Sequence, residues 1–191
     1  MPQIYQCDAT SIFVIDEIFS FNNLMVIASK CEILFLSNVV ISNNDEIIPE
    51  TEEDQFYFET AVSLEVLFNA LPNVKSFTYY LPENSLNIFT TKTVDELLKI
   101  PYFFSLDKFE IGEIPEIFDI NIFYGHIKEN KKTKIELDFS RQISDAYKIR
   151  LQKIIDEILE TENRDYKVPK IDFPGITGSS REKMRALCYQ Y

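Results

Sequence analysis

The chain has few of the residues from which common catalytic sites are built. Its 191 residues include four glycines and one histidine. Neither the GxGxxG nor the GxxxxGK[ST] phosphate-binding pattern can be written from these glycines. The single histidine, His126, excludes multi-histidine metal sites such as HExxH. No GxSxG nucleophile elbow occurs. The sequence therefore predicts no enzyme, no cofactor and no metal site.

Cysteines are also scarce, and so are basic residues near the N-terminus. Cys7, Cys31 and Cys188 are odd in number and lack CxxC spacing, which fits neither a disulfide framework nor a zinc site. Cys31 lies in an apolar run, and we expect it to be a small core residue. No Lys or Arg precedes Lys30, so the positive region of a signal peptide is missing. We expect an intracellular protein, cytoplasmic or nuclear, that does not bind membranes.

Negative charge dominates what is present. Lys and Arg number 19 against 31 Asp and Glu, which gives a net charge of −12. This charge repels phosphates and argues against nucleic acid as a partner. The length and the hydrophobic fraction of 46% suit one packed domain. We expect that domain over residues 1–176, with an acidic loop at 43–55, followed by a short C-terminal helix or tail at 177–191.

Short apolar runs, several with period-2 alternation, predict six strands. The connections between them are long enough for helices, so the strands should run parallel. Their regular spacing predicts an irregular leucine-rich-repeat-like α/β solenoid, with one mostly parallel sheet backed by helices. The predicted strands cover residues 12–15, 32–36, 75–80, 108–111, 134–139 and 170–173.

Apolar stripes and capping residues predict the helices. Side chains with hydroxyl or carboxylate groups before an apolar run can satisfy the first free N–H groups of a helix. The signals are an apolar stripe at 64–71, a Thr93–Glu96 capping box, Asp119 and Ser144 as N-caps, and a Ser179–Glu182 capping box.

The later strands also predict one binding surface. If their apolar residues face the helices, alternation turns the polar residues to the opposite face. There the carboxylates would form a negative band, partly offset by one lysine. Three interpretations remain open: a solvated sheet face, a docking face for a basic peptide, and a divalent-metal or hydrolytic site. The candidate residues are Lys108, Glu110, Glu136, Asp138 and Asp172.

Several segments, taken together and in this order, resemble the nematode FTH, or F-box-associated, domain family. The likeness covers residues 24–176. The segments that carry it are LPNVKSFTYYLP at 71–82, FDINIFY at 118–124, KIELDF at 134–139, ISDAYKIRLQKIIDEI at 143–158 and PKIDFPG at 169–175.

The resemblance implies a function that the residues alone do not. In that family an F-box docks the adaptor subunit of a cullin-type ubiquitin ligase, and the repeat-like domain is thought to select a target. The residues before the likeness are too few for an F-box. We therefore expect a non-enzymatic protein-interaction module that recognises a protein target, with no established site residues carried over from the family. The alternatives are a substrate-recognition adaptor of a ubiquitin ligase and a small carboxylate-dependent hydrolase.

Overall fold

The computed structural model of the protein describes residues 7–43, 61–82 and 88–188. The predicted acidic loop at 43–55 lies, from residue 44 onward, outside the described residues. Within those ranges the strands are β1 Ser11–Ile15, β2 Ile18–Ser20, β3 Ile33–Ser37, β4 Val40–Ser42, β5 Ser76–Tyr80, β6 Lys108–Ile114, β7 Lys134–Phe139 and β8 Lys170–Asp172.

Six α-helices lie in the same described ranges, with a 3₁₀ turn at Phe103–Ser105. The longest is α5, with 16 residues. None of the described helices has the length and apolar character needed to cross a bilayer. The helices are α1 Phe21–Ala28, α2 Leu64–Asn69, α3 Thr93–Lys99, α4 Ile120–Ile127, α5 Asp145–Glu160 and α6 Gly178–Cys188.

The six predicted strands form one sheet, which confirms an α/β fold. Its order is β1-β3-β5-β6-β7-β8, and every pairing in it is parallel. The long connections explain this direction, because each leaves room for a crossover helix. The strands of this sheet therefore stand side by side in the order in which they occur along the chain.

Helices α2 and α4 pack on the same face of this sheet. Right-handed crossovers that step in one direction place successive helices on the same side. The ring of Phe68 in α2 lies 5.3 Å from Phe77 in β5, and Phe123 in α4 lies 6.3 Å from Phe109 in β6. The inward residues of β5, β6 and β7 are almost completely buried, as the alternation predicts: Phe77, Tyr79, Phe109, Ile111, Ile135, Leu137 and Phe139.

Two short strands that the sequence analysis did not predict form a separate parallel ribbon, β2 with β4. They follow β1 and β3 after equivalent kinks. Asp16 and Asn38, the residues directly after β1 and β3, have left-handed φ angles of 56° and 52°. Asp and Asn tolerate this conformation better than other residues that carry a side chain. Because the Asn38 side-chain amide donates to Asp16 Oδ1 at 2.8 Å, the two kinks lie side by side.

The N-caps at Asp119 and Ser144 are confirmed. Asp119 accepts hydrogen bonds from the backbone N–H groups of Asn121 and Ile122 at the start of α4. Ser144 accepts from the Tyr147 N–H, at 3.3 Å, at the start of α5. Both contacts satisfy N–H groups that the first turn leaves without a helical partner.

The Thr93–Glu96 capping box is wrong. The residue before α3 is Lys92, and Thr93 already belongs to the helix. The Thr93 hydroxyl donates to Glu65 Oε2 of α2 at 2.8 Å, and the Glu96 carboxylate pairs with Lys99. A tertiary contact therefore competes successfully for the hydroxyl that the local pattern assigned to capping.

The Ser179–Glu182 capping box is also wrong, because α6 begins earlier. Gly178 is its first residue, and the Thr177 hydroxyl accepts from the Ser180 N–H at 3.1 Å. The early start places Ser180 inside the first turn, where it is buried.

Candidate functional site

The face of the large sheet opposite the helices carries the predicted binding residues, and we call it the open face. The strand register aligns one residue from each strand in a row across it: Phe13, Phe35, Thr78, Glu110, Glu136 and Lys170. The row changes from aromatic at the β1 edge to charged at the β8 edge. The open face therefore has an apolar half on β1 and β3, which the aromatic ring of Tyr80 on β5 extends, and a charged half on β6, β7 and β8.

The structure brings the five predicted residues together on the charged half. Lys108 and Glu110 form an ion pair within β6. The register places Glu110 beside Glu136, and Asp138 beside Asp172. The placement follows from period-2 alternation, because all five share the parity that points away from the buried residues of their strands.

The charged half differs from the predicted negative band. Glu136 is only 9% exposed, and its two carboxylate oxygens bind Lys134 at 2.7 Å and Lys170 at 2.8 Å. Burial acts to raise the pKa of Glu136, but the two lysines outweigh it and hold the pKa below its usual value. The prediction of a net negative band is wrong, because Lys134 and Lys170 lie on the same face and neutralise its centre.

Glu110 is enclosed in a similar way. It is 9% exposed and pairs with Lys108, while the Tyr80 and Thr78 hydroxyls donate to its two carboxylate oxygens. Burial, together with the contact to Glu110, raises the pKa of Tyr80. The phenol therefore stays protonated and remains a donor at neutral pH. The carboxylate oxygens of Glu110 and Glu136 are therefore already bonded within the sheet. These two residues link neighbouring strands and present little negative charge to a binding partner.

Asp138 has no such partners. Among the residues that the structure describes, no group donates a hydrogen bond to its carboxylate. Burial raises the pKa of Asp138, and repulsion from Asp172 and Glu113 raises it further. Asp172 is itself neutralised, since Arg181 of α6 binds its Oδ1 at 2.8 Å. Among the predicted site residues, Asp138 therefore has the carboxylate that can bind a cation of a partner molecule.

The apolar half is strongly exposed. Phe13 is 65% exposed, and its ring centroid lies 5.8 Å from that of Phe35, which lies 6.0 Å from that of Tyr80. Ile15 and Ile33 add further exposed apolar surface. Three neighbouring strands thus present one continuous row of aromatic rings that ends beside the charged half.

Sequence analysis did not identify these aromatic residues as part of the site. In β1 and β3 both faces are largely apolar, so alternation gives no signal that Phe13 or Phe35 points outward. Lys134 and Lys170 could have been predicted from the sequence. Each lies two residues from a predicted site residue on its own strand, and residues two apart on a strand point to the same face.

The described residues include no group of three or more His, Cys, Asp or Glu side chains that could hold a metal ion. His126 is exposed on α4 and stacks on Phe104, with 6.2 Å between ring centroids. The buried Cys31 is a core residue, as expected.

Comparison with known proteins gives no relative. No family model, curated protein or solved structure matches the chain.

Proposed function

We propose that the chain is a non-enzymatic protein-interaction module that recognises a protein target through the open face. The observation that carries this proposal is the row of neighbouring aromatic rings at Phe13, Phe35 and Tyr80, of which Phe13 is 65% exposed and Tyr80 36%. Contiguous exposed apolar surface on a domain with a well-packed core is typical of a binding site. Aromatic side chains are also enriched among the residues that contribute most to protein–protein affinity.

The partner that fits this face has an apolar anchor and a basic side chain. The anchor covers Phe13 and Phe35, and a Lys or Arg pairs with Asp138. A cation there is favoured because it offsets the repulsion that Asp172 and Glu113 exert on the Asp138 carboxylate. The basic peptide suggested by the sequence thus remains the proposed partner, with Asp138 as its contact in place of Glu110 or Glu136.

We also infer an irregular leucine-rich-repeat-like solenoid. Two features support it: the sheet follows chain order with helices on one face, and the unit of strand, left-handed residue and short strand occurs twice. Units that contact only their neighbours and share one extended surface are typical of solenoid proteins. The resemblance to the F-box-associated family, whose repeat-like domain is thought to select targets, agrees with this assignment.

The test is selection of random peptides displayed on phage against the full chain. We expect the enriched peptides to combine an aromatic or aliphatic residue with Lys or Arg. Binding of one such peptide is then measured by fluorescence anisotropy for Phe13→Ser and Asp138→Lys. Each substitution should weaken binding about tenfold or more, as expected when a central contact is lost.

Two substitutions on the helical side serve as matched controls. Ile149 is a similarly exposed apolar residue, on α5, and Asp95 is an exposed carboxylate on α3. Ile149→Ser and Asp95→Lys should leave peptide binding unchanged. Selection of acidic peptides, or equal binding by Phe13→Ser and Asp138→Lys, would contradict recognition by the open face.

A further inference from the structure

A cavity of about 420 Å³ lies where β7 and β8 meet α6. Its size falls within the roughly 300–1,000 Å³ that small-ligand sites occupy. The side chains that matter most to its chemistry are Lys134, Lys167, Lys170, Arg185, Leu187 and Cys188. The cavity exists because α6 rests against the β8 edge, with Met184 turned into the core and Arg185 turned toward the open face.

The charge of the cavity is opposite to that of the whole chain. Four cationic side chains line it, and Glu136 is the carboxylate among the described residues of its lining. Glu136 already binds Lys134 and Lys170. Arg185, in contrast, makes no ion pair or hydrogen bond with any described residue. A guanidinium with free donors in a recess is suited to a carboxylate, which it can bind through two parallel hydrogen bonds.

Part of the lining is apolar. Val168 is 5% exposed, and Leu187 and Cys188 are half-buried. Burial raises the pKa of the Cys188 thiol, and the nearby Glu136 adds to this, so the thiol remains neutral and acts as part of the apolar surface. The cavity thus combines cationic side chains with hydrocarbon-like surface in its lining.

We propose that this cavity binds an organic carboxylate with an apolar body, with Arg185 holding the carboxylate and Leu187 and Val168 covering the body. This goes beyond the proposed recognition of a basic protein segment, because the ligand has the opposite charge and contacts different residues. A failure here leaves the peptide-binding test on Phe13 and Asp138 unaffected.

The probe is hexanoate, compared with hexanol, hexylamine and inorganic phosphate, in NMR titrations of the full chain. We expect hexanoate to shift the amide signals of Lys134, Val168 and Cys188, and the other three compounds to shift them much less. Arg185→Gln should weaken hexanoate binding about tenfold, the loss expected for a charge-assisted contact. Arg185→Lys should retain part of the affinity, because it keeps the charge.

Lys183→Gln is the matched control. Lys183 is an exposed cation on the same helix and does not line the cavity. It should bind hexanoate like the unaltered chain. Equal binding of hexanol or hexylamine, or unchanged binding by Arg185→Gln, would overturn the proposal. Phosphate that binds as tightly as hexanoate would overturn the requirement for an apolar body.

Discussion

The ring of Tyr80 lies over Gly112, its register partner on the neighbouring strand. A Cβ atom at position 112 would come within 2.6 Å of Tyr80 Cδ1, closer than packed atoms approach. The missing side chain therefore makes room for the ring, and from there the hydroxyl reaches Glu110. This pair joins the apolar half of the open face to the charged half.

Gly112→Ala should displace Tyr80 and break its hydrogen bond to Glu110. We expect a loss of about 1–3 kcal/mol in the free energy of unfolding, since the bond serves a buried charged acceptor. Urea denaturation measures it. In a Tyr80→Ala background the same substitution should cost nothing, and an undiminished cost there would contradict the explanation. Gly125 lies in α4, and a Cβ atom added there would meet no neighbouring heavy atom within 4 Å. Gly125→Ala should therefore raise the free energy of unfolding by about 1 kcal/mol, because Ala favours the helix more than Gly does.

Glu136→Gln should reduce stability at neutral pH and remove part of the acid sensitivity. The pKa of Glu136 is lowered in the folded state by Lys134 and Lys170. Its ionised form therefore stabilises the fold above the ordinary glutamate pKa of 4.5, and this contribution is lost as the pH falls through the lowered folded value. Urea denaturation as a function of pH should show the difference from the unaltered chain shrinking below pH 4.5.

The exposed Glu129 on the turn after α4 supplies the control for this experiment. Glu129→Gln removes no ion pair among the described residues, so its free energy of unfolding at neutral pH should be close to that of the unaltered chain. A difference for Glu136→Gln that stays constant through the acid range would mean that the two lysines do not set its ionisation.

Asp138→Asn should stabilise the chain while it weakens partner binding. The folded state raises the pKa of Asp138, so its ionisation opposes folding at any pH above the ordinary value of 3.8. Asn cannot ionise, so it removes that cost and should raise the free energy of unfolding. The gain should be only about a few tenths of a kcal/mol, because water still reaches the side chain and screens its charge. The gain should appear as the pH rises above 3.8, where the unfolded chain ionises, and be complete once the pH exceeds the raised pKa of the folded state. Stability lost at pH 7 would contradict it.

The hydroxyl of Thr93 should matter more than the carboxylate of Glu96. Thr93→Val removes the donor to Glu65 in a fully buried position, and we expect a cost of about 1–2 kcal/mol. Glu96→Gln loses an exposed pair with Lys99, at a cost of about 0.5 kcal/mol or less. Comparable costs for the two substitutions, in urea denaturation, would favour the capping box that the sequence pattern predicted.

The large sheet could be predicted because its later strands alternate apolar and polar residues. Lys134–Phe139 has the predicted bounds, and it pairs in parallel with β6 and β8, as the long connections predict. The ribbon of β2 and β4 could not be predicted in this way. Its strands have three residues each, and the kinks before them use Asp16 and Asn38 rather than a glycine or proline signal.

The candidate site was only partly predictable for a related reason. Alternation within β7 and within β8 placed Asp138 and Asp172 opposite the buried residues of their own strands, and this depends on local geometry alone. Whether a carboxylate on that face is bonded depends on residues from other strands and from α6. Arg181 and Arg185 reach the face only because α6 lies at the β8 edge, and no pattern within 178–188 states where that helix packs.

Pairing in chain order also has a mechanical consequence. β1 and β8 form opposite rims of the sheet, five strand spacings or roughly 24 Å apart. Among the strands that the structure describes, no later one is inserted between two earlier ones, so this sheet can be dismantled from either rim without unthreading a described strand. Stretching a single molecule in an optical trap should therefore give several small steps, each the release of a strand with its helix, in place of one large rupture.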